Sequence, residues 1–155
     1  MREVLREVDE LLSSSFDVVL VGGAAMILHF GAHRTARDVD ALLLRGNSAE
    51  LRHAVSDVVR RLELGDNWLN DAVKGFADVL PADFATRLVP LEMRLQRLKI
   101  YVLGRADQIA LKIVALREQD FSDLELLSPV PRGRRGPHSD PLDALPHAGG
   151  APADA

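Results

Sequence analysis

Apolar residues at Val4, Leu5, Val8, Leu11 and Leu12 recur at the intervals of one helix face, so the chain opens with an amphipathic helix. Ser13-Ser14-Ser15 ends it. The period then changes. Phe16-Asp17-Val18-Val19-Leu20-Val21 is short, nearly continuous in apolar character and rich in β-branched residues, the pattern of a buried strand. Gly22-Gly23 breaks the strand, Ala24 to Phe30 reads as a short helix, and Gly31 stands where a C-terminal cap belongs. Asp38 to Leu44 is a second strand. Asn47 or Ser48 caps a helix from Ala49 to Leu62, with Leu51, Val55, Val58, Val59 and Leu62 on its stripe. Asp66 or Asn67 then starts a short helix through Val73, which Gly75 ends. Leu98 to Leu103 is β-rich and predicts a strand. Asp107 to Arg117 predicts a helix with Ile109, Ile113 and Leu116 on one face. Ser122 and Glu125 have capping-box spacing, and Phe121 and Leu126 have staple spacing, so a last helix starts near Ser122. This order predicts an α/β (α+β) fold, a small mixed β-sheet with packed helices.

Composition sets the boundary. Six of the eight prolines lie beyond Leu127, together with the basic cluster Arg132-Gly133-Arg134-Arg135, and no apolar periodicity continues there. Residues 1–127 are therefore expected to form the folded domain and 128–155 a Pro/Gly/Arg-rich disordered tail. The core has material, since 47% of the 155 residues are hydrophobic. There is no cysteine, which excludes disulfides, thiolate metal sites and cysteine nucleophiles. A net charge of −4 gives no strongly basic footprint for nucleic acid overall. The first residues lack the apolar core of a signal peptide, and no apolar run approaches a membrane span. A cytoplasmic protein without a membrane partner is expected.

Two features carry chemistry. Gly22-Gly23 joins a buried strand to a helix. With no Cβ, such a turn lets the backbone approach a phosphate, and the helix N-terminus offers it unpaired N–H groups. Asp38-Val39-Asp40 opens the next strand. Residues two apart on a strand share a face, so both carboxylates project together and repel unless a cation sits between them. Mg²⁺ favours this arrangement, held by one or two carboxylates and substrate phosphates. Taken singly, each feature also has a structural explanation, as a common turn or a strand entrance.

Together, a Gly-Gly turn opening a helix and a strand beginning Asp-hydrophobic-Asp resemble the minimal nucleotidyltransferases of the polymerase-β superfamily, closest to the AbiEii-like bacterial group. The resemblance runs through Val19 to Ala25, Gly31, Arg34 and Asp38-Val39-Asp40. It continues in Trp68 to Phe76, Tyr101-Val102-Leu103, Lys112, Arg117, Asp120 and Asp123. It implies a nucleotidyltransferase-like fold and a nucleoside triphosphate substrate seated on Gly22 and Gly23. It also implies Mg²⁺ (or Mn²⁺) on Asp38 and Asp40 as metal ligands and catalytic residues. Many members of the group are toxins or antitoxins, so a toxin or antitoxin partner or an RNA acceptor is expected. The family usually adds a third carboxylate on a later strand, for which Asp78, Asp83 and Glu92 are candidates. Ala36 stands where the family often has threonine, with Thr35 one place earlier.

The remaining polar residues divide. Arg34 is equally a phosphate ligand or a solvated loop arginine, whereas Arg37 reads as solvated. Lys112 either reaches the triphosphate from its helix or, lying off the apolar stripe, is an ordinary surface lysine. Asp120 and Asp123 read as helix-start residues. Trp68 either stacks on a base or, more commonly, packs in a core, and Asn70 and Lys74 travel with it as pocket candidates. His29 and His33 are four apart, yet Gly31 between them points to helix-end histidines rather than zinc ligands. Two functions follow: an enzyme that moves a nucleoside monophosphate to a protein or RNA hydroxyl, or a weak or inactive nucleotidyltransferase-fold antitoxin that acts by binding a partner. A bland α/β domain, with structural glycines and aspartates, is the third.

Overall fold

Alternation along the central strand divides the core in two. In β1 (Phe16–Val21), Phe16, Val18 and Leu20 pack with one apolar cluster, and Val19 and Val21 with another. A strand buried on both faces must lie between layers. The computed structural model, which describes residues 1–70 and 78–128, shows these layers. In chain order the elements are α1 (Arg2–Leu11), β1, α2 (Gly22–Leu28), β2 (Val39–Arg45), α3 (Ser48–Arg61) and β3 (Leu69–Asn70). A 3-10 helix (Phe84–Arg87), β4 (Val89–Pro90), β5 (Leu98–Val102), α4 (Arg105–Ala115) and α5 (Glu118–Leu127) follow. The five strands form one mixed sheet in the order β3-β2-β1-β5-β4, parallel at β1–β5 and β2–β3 and antiparallel at β1–β2 and β4–β5. Val4, Leu5 and Val8 of α1 and Leu51, Val55 and Val58 of α3 cover one face. Leu111 of α4, with Leu80, Phe84 and Leu88, packs on the other. The chain is thus a mixed α/β fold, one small mixed sheet with packed helices. Among the described residues, no helix is long and apolar enough to cross a membrane.

Polar side chains fix the joints between these layers. Asn47 caps α3 as expected, its side-chain oxygen accepting from the N–H groups of Ala49 and Glu50. The serines after α1 donate to Glu50 through both backbone and hydroxyl, which holds that carboxyl down at about 2. Asp9, buried in α1, accepts from the backbone N–H groups of Gln96, Arg97 and Leu98 at 2.7–2.8 Å and so sets the entry into β5. Gly46 has φ +122, and a Cβ there would sit 2.2 Å from the ring of buried Phe16. Only glycine fits both constraints.

Several expectations shift. Helix α2 begins at Gly22, not Ala24, and β2 begins at Val39, leaving Asp38 at its mouth. Where a helix was expected from Asp66, Leu69-Asn70 is a strand. Val39 N–H donates to the Trp68 carbonyl, and the two residues after Trp68 pair in parallel with Val39 and Asp40. The rest of that expected helix, with Lys74 and Gly75, lies outside the described residues, as does the tail beyond Ser128 with its Arg132 cluster. Trp68 is buried in the α1–α3 core, so it does not stack on a base. On α4 the expected stripe fails: Ile113 and Leu116 are each 57% exposed, and the buried face is Asp107, Gln108, Leu111 and Lys112. Polar groups can occupy it because the charged ones are paired; Arg87 makes a two-pronged bond to Asp107 at 3.0 Å. Leu116 ends α4 in the left-handed conformation, and α5 starts at Glu118 rather than near Ser122. The capping carboxylate is Asp120, which accepts from the Arg117 N–H, and Phe121 and Ser122 lie exposed inside the helix.

Candidate active site

Strand β1 delivers the chain to the Gly22-Gly23 turn, and antiparallel pairing sets Val21 opposite Asp40. The turn and the carboxylate consequently meet. Gly22 has φ +59, and a Cβ on it would lie 3.2 Å from Asp40 Oδ2; one on Gly23 would lie 3.3 Å from Arg34 Nη1. A side chain at either position would fill the space where an anion can approach backbone N–H groups. Gly22, Gly23, Arg34, Asp38, Asp40 and Lys112 line one cavity of about 340 Å³, within the ~300–1,000 Å³ range of small-molecule sites. Val39, between the aspartates, is buried in the opposite core, as strand alternation requires.

The electrostatics of the cavity suit a cation and a polyanion together. Burial pushes the Asp40 carboxyl above its ordinary value, and the charge of Asp38 adds to this; Arg117 and Lys112 oppose it. A hard divalent ion relieves such a like-charge pair of oxygen ligands. Among the described residues no group of three or more His, Asp or Glu side chains could hold an ion unaided. An ion on Asp38 and Asp40 would therefore complete its shell with substrate phosphates and water, the habit of Mg²⁺. Arg37 and Arg117 also line the cavity and add positive charge.

Behind the cavity wall lies a buried ion network. Lys112 Nζ is 2.5 Å from Asp120 Oδ1 and 2.6 Å from Asp123 Oδ2, and Arg34 Nη2 is 2.7 Å from the same Asp123 oxygen. Arg34 is thus anchored from α5, while its Nε is buried without a partner. Lys112 is not a surface lysine: it is 5% exposed and its ammonium is held by two carboxylates. Asp120 does start α5, but it also lines the cavity, and Asp123 sits inside the helix as a partner of both cations.

The structure does not bring the other candidates here. Asp78, Asp83 and Glu92 are exposed, and none lines this cavity; Asp83 is ion-paired with Arg87, which lowers its pKa. His29 and His33 are exposed, and neither belongs to a metal-holding group among the described residues. Asn70 and Thr35 do line the cavity. Sequence reasoning gave no role to Arg117 or Gln119, which also line it, or to Gln108 beneath the glycine turn. The run Lys112, Arg117, Asp120, Asp123 was the available signal, a cluster of charge spaced across a helix end.

Residues 1–128 match the model of a family described as a nucleotidyltransferase of unknown function (DUF6036). Neither curated proteins nor solved structures gave a match. The family model covers most of the chain, and the chain belongs to that nucleotidyltransferase family.

Proposed function

We propose that this member of the nucleotidyltransferase family moves a nucleoside monophosphate from a nucleoside triphosphate to a hydroxyl on a protein or RNA acceptor. The sequence resemblance supports an AbiEii-like, cytoplasmic protein working within a toxin–antitoxin pair. The observation that carries the reading is the meeting, in one cavity, of the Gly22-Gly23 turn with the Asp38 and Asp40 carboxylates. Asp38 and Asp40 would hold Mg²⁺ or Mn²⁺. When bound, the metal neutralises phosphoryl charge and makes the acceptor hydroxyl a better nucleophile. The chain's own groups do the positioning. The N–H groups at the start of α2 receive phosphate oxygens, and Arg34, anchored by Asp123, turns Nη1 towards Gly23 and the same oxygens. Arg37 and Arg117 spread positive charge over the leaving pyrophosphate. The acceptor oxygen bonds the α-phosphorus, the bond to pyrophosphate breaks, and the hydroxyl proton leaves to water.

The test is incubation with each labelled nucleoside triphosphate, Mg²⁺ and cell extract. Labelled macromolecules are expected with the wild type and not with Asp40→Asn. Absence of label with all four nucleotides, and of any nucleotide-dependent thermal stabilisation, would overturn the reading. A second reading, a module that holds nucleotide and acts by contact with a partner, is favoured by one observation. The third carboxylate at the cavity, Asp120, is already engaged by Lys112 and the Arg117 N–H. Stabilisation by nucleotide and metal without transfer to any acceptor would select it.

We also propose that residues 1–127 are the nucleotidyltransferase unit and 128–155 a tail. Helix α5 ends at Leu127 and the family match ends at residue 128. Removing 129–155 is expected to leave the melting temperature unchanged.

A further inference from the structure

Gln108 is the one fully buried amide side chain among the described residues, 0% exposed on the inward face of α4, one turn before Lys112. Its Nε2 donates to the carbonyl of Gly22 at 3.2 Å. The orientation is fixed by chemistry: a carbonyl only accepts, so the NH₂ end must face it. That leaves Oε1 buried with no partner. A buried acceptor without a bond costs stability, and a leucine of similar size would carry no such cost. Packing therefore does not account for glutamine here. Its one bond falls on the turn against which Asp40 and Arg34 are set.

The consequence follows from the planarity of the peptide unit. In a trans peptide the carbonyl and the following N–H point in opposite directions. Fixing the Gly22 carbonyl therefore fixes the Gly23 N–H, one of the donors at the start of α2 that has no intrahelical partner. As the first residue of α2, Gly22 also offers this carbonyl to the helix ladder, so the Gln108 amide is a second hold on a peptide that lies between two glycines, the first of them in the left-handed region. We propose that Gln108 is a positioning residue for the triphosphate: it holds the Gly22–Gly23 peptide so that the Gly23 N–H faces the cavity as a phosphate donor. This rests on the nucleotidyltransferase reading of the site. Gln108 touches no substrate in this role; it acts through the backbone it grips.

The experiment compares wild type with Gln108→Leu, which removes the donor and the orphaned acceptor together. Gln108→Met, unbranched and also without a donor, carries the test should the leucine variant not fold. Affinity for each nucleoside triphosphate with Mg²⁺, and for inorganic tripolyphosphate, is measured by calorimetry. The ¹H–¹⁵N signal of the Gly23 amide is followed in the ligand-free proteins. Expected are a melting temperature equal to or above wild type, a displaced Gly23 amide signal, and triphosphate binding weakened about tenfold. A merely structural glutamine would lower the melting temperature and leave affinity alone, and that result overturns the proposal. So does an unmoved Gly23 amide. If the wild type binds no triphosphate, the proposed function falls and the role of Gln108 towards phosphate falls with it, whereas equal affinity of wild type and variant overturns the role of Gln108 alone.

Discussion

Replacing Lys112 by methionine removes one ammonium and leaves two buried carboxylates, Asp120 and Asp123, whose side chains are 2% and 3% exposed. Each keeps one partner: Asp120 the Arg117 N–H, Asp123 the Arg34 guanidinium. Breaking a buried pair from one side typically costs about 3–5 kcal/mol, because the surviving charge is neither solvated nor matched. The surviving partners place Lys112→Met at the lower end, about 3 kcal/mol. For a domain of this size that corresponds to a fall of about 10 °C in melting temperature. Urea denaturation read by circular dichroism measures it directly. The double variant Lys112→Met/Asp120→Asn supplies the coupling, and the second change should cost about 2 kcal/mol less in the methionine background than in the wild type. A loss under about 1 kcal/mol for Lys112→Met, or strict additivity, would refute the inference that this lysine binds α4 to α5. The result also governs how activity data are read. A Lys112 variant that loses transfer activity has first lost part of the cavity wall.

Asp9→Ala strands three backbone donors at the head of β5; with partial rehydration of Gln96 and Arg97 the cost is about 3–4 kcal/mol, and hydrogen exchange at the Leu98 amide should accelerate more than in α3. An unchanged Leu98 amide would show that Asp9 is dispensable there. Asp40→Asn should raise the melting temperature of the metal-free protein at pH 7. The folded Asp40 pKa lies above its unfolded value, so the folded state binds the extra proton, and the penalty for ionising it grows as pH rises through the raised pKa. The advantage of asparagine should vanish below about pH 3.9, where both states are protonated; an advantage independent of pH contradicts the assignment. Gly46→Ala meets both a left-handed backbone and the Phe16 ring, and should lower the urea midpoint by the equivalent of about 2–5 kcal/mol; a neutral result would show that the β2–α3 turn can re-form another way.

What was legible in the sequence lies where apolar period and local chemistry agree. Helix α1, strand β1 and the Asn47 cap of α3 follow their patterns to within a residue or two. The strand alternation that separates Val39 from the aspartates on either side is likewise plain, as is the glycine turn ahead of them. Both C-terminal helices were also legible, but the buried face of α4 and the start of α5 were read wrongly, because their chemistry reverses the usual rule. On α4, Ile113 and Leu116 face out while Asp107, Gln108 and Lys112 face in, made tolerable by partners drawn from other elements. Periodicity detects which residues repel water, not which ones have found a counter-charge from a distant segment. The same blindness hid the roles of Asp120 and Asp123: a capping carboxylate reads as sufficient until the lysine one helix back is seen to share it.

The pairing of β1 with β5 joins residues 16–20 to residues 98–102, the most distant neighbours in the sheet. Contacts of that separation make folding slow, because a long loop must close before they form. A chain emerging from the ribosome N-terminus first can build α1, the β1–β2 hairpin and α3 early. It would then carry Asp38 and Asp40 on a half-sheet whose β1 edge is still open. Arg34 has no anchor until Asp123 has been synthesised, and the Gly22 carbonyl lacks its bond from the Gln108 amide until that residue has. The nascent protein thus passes through a period in which the acidic pair exists and the pocket does not, and a ribosome-bound chain halted before residue 105 should be unable to retain nucleotide.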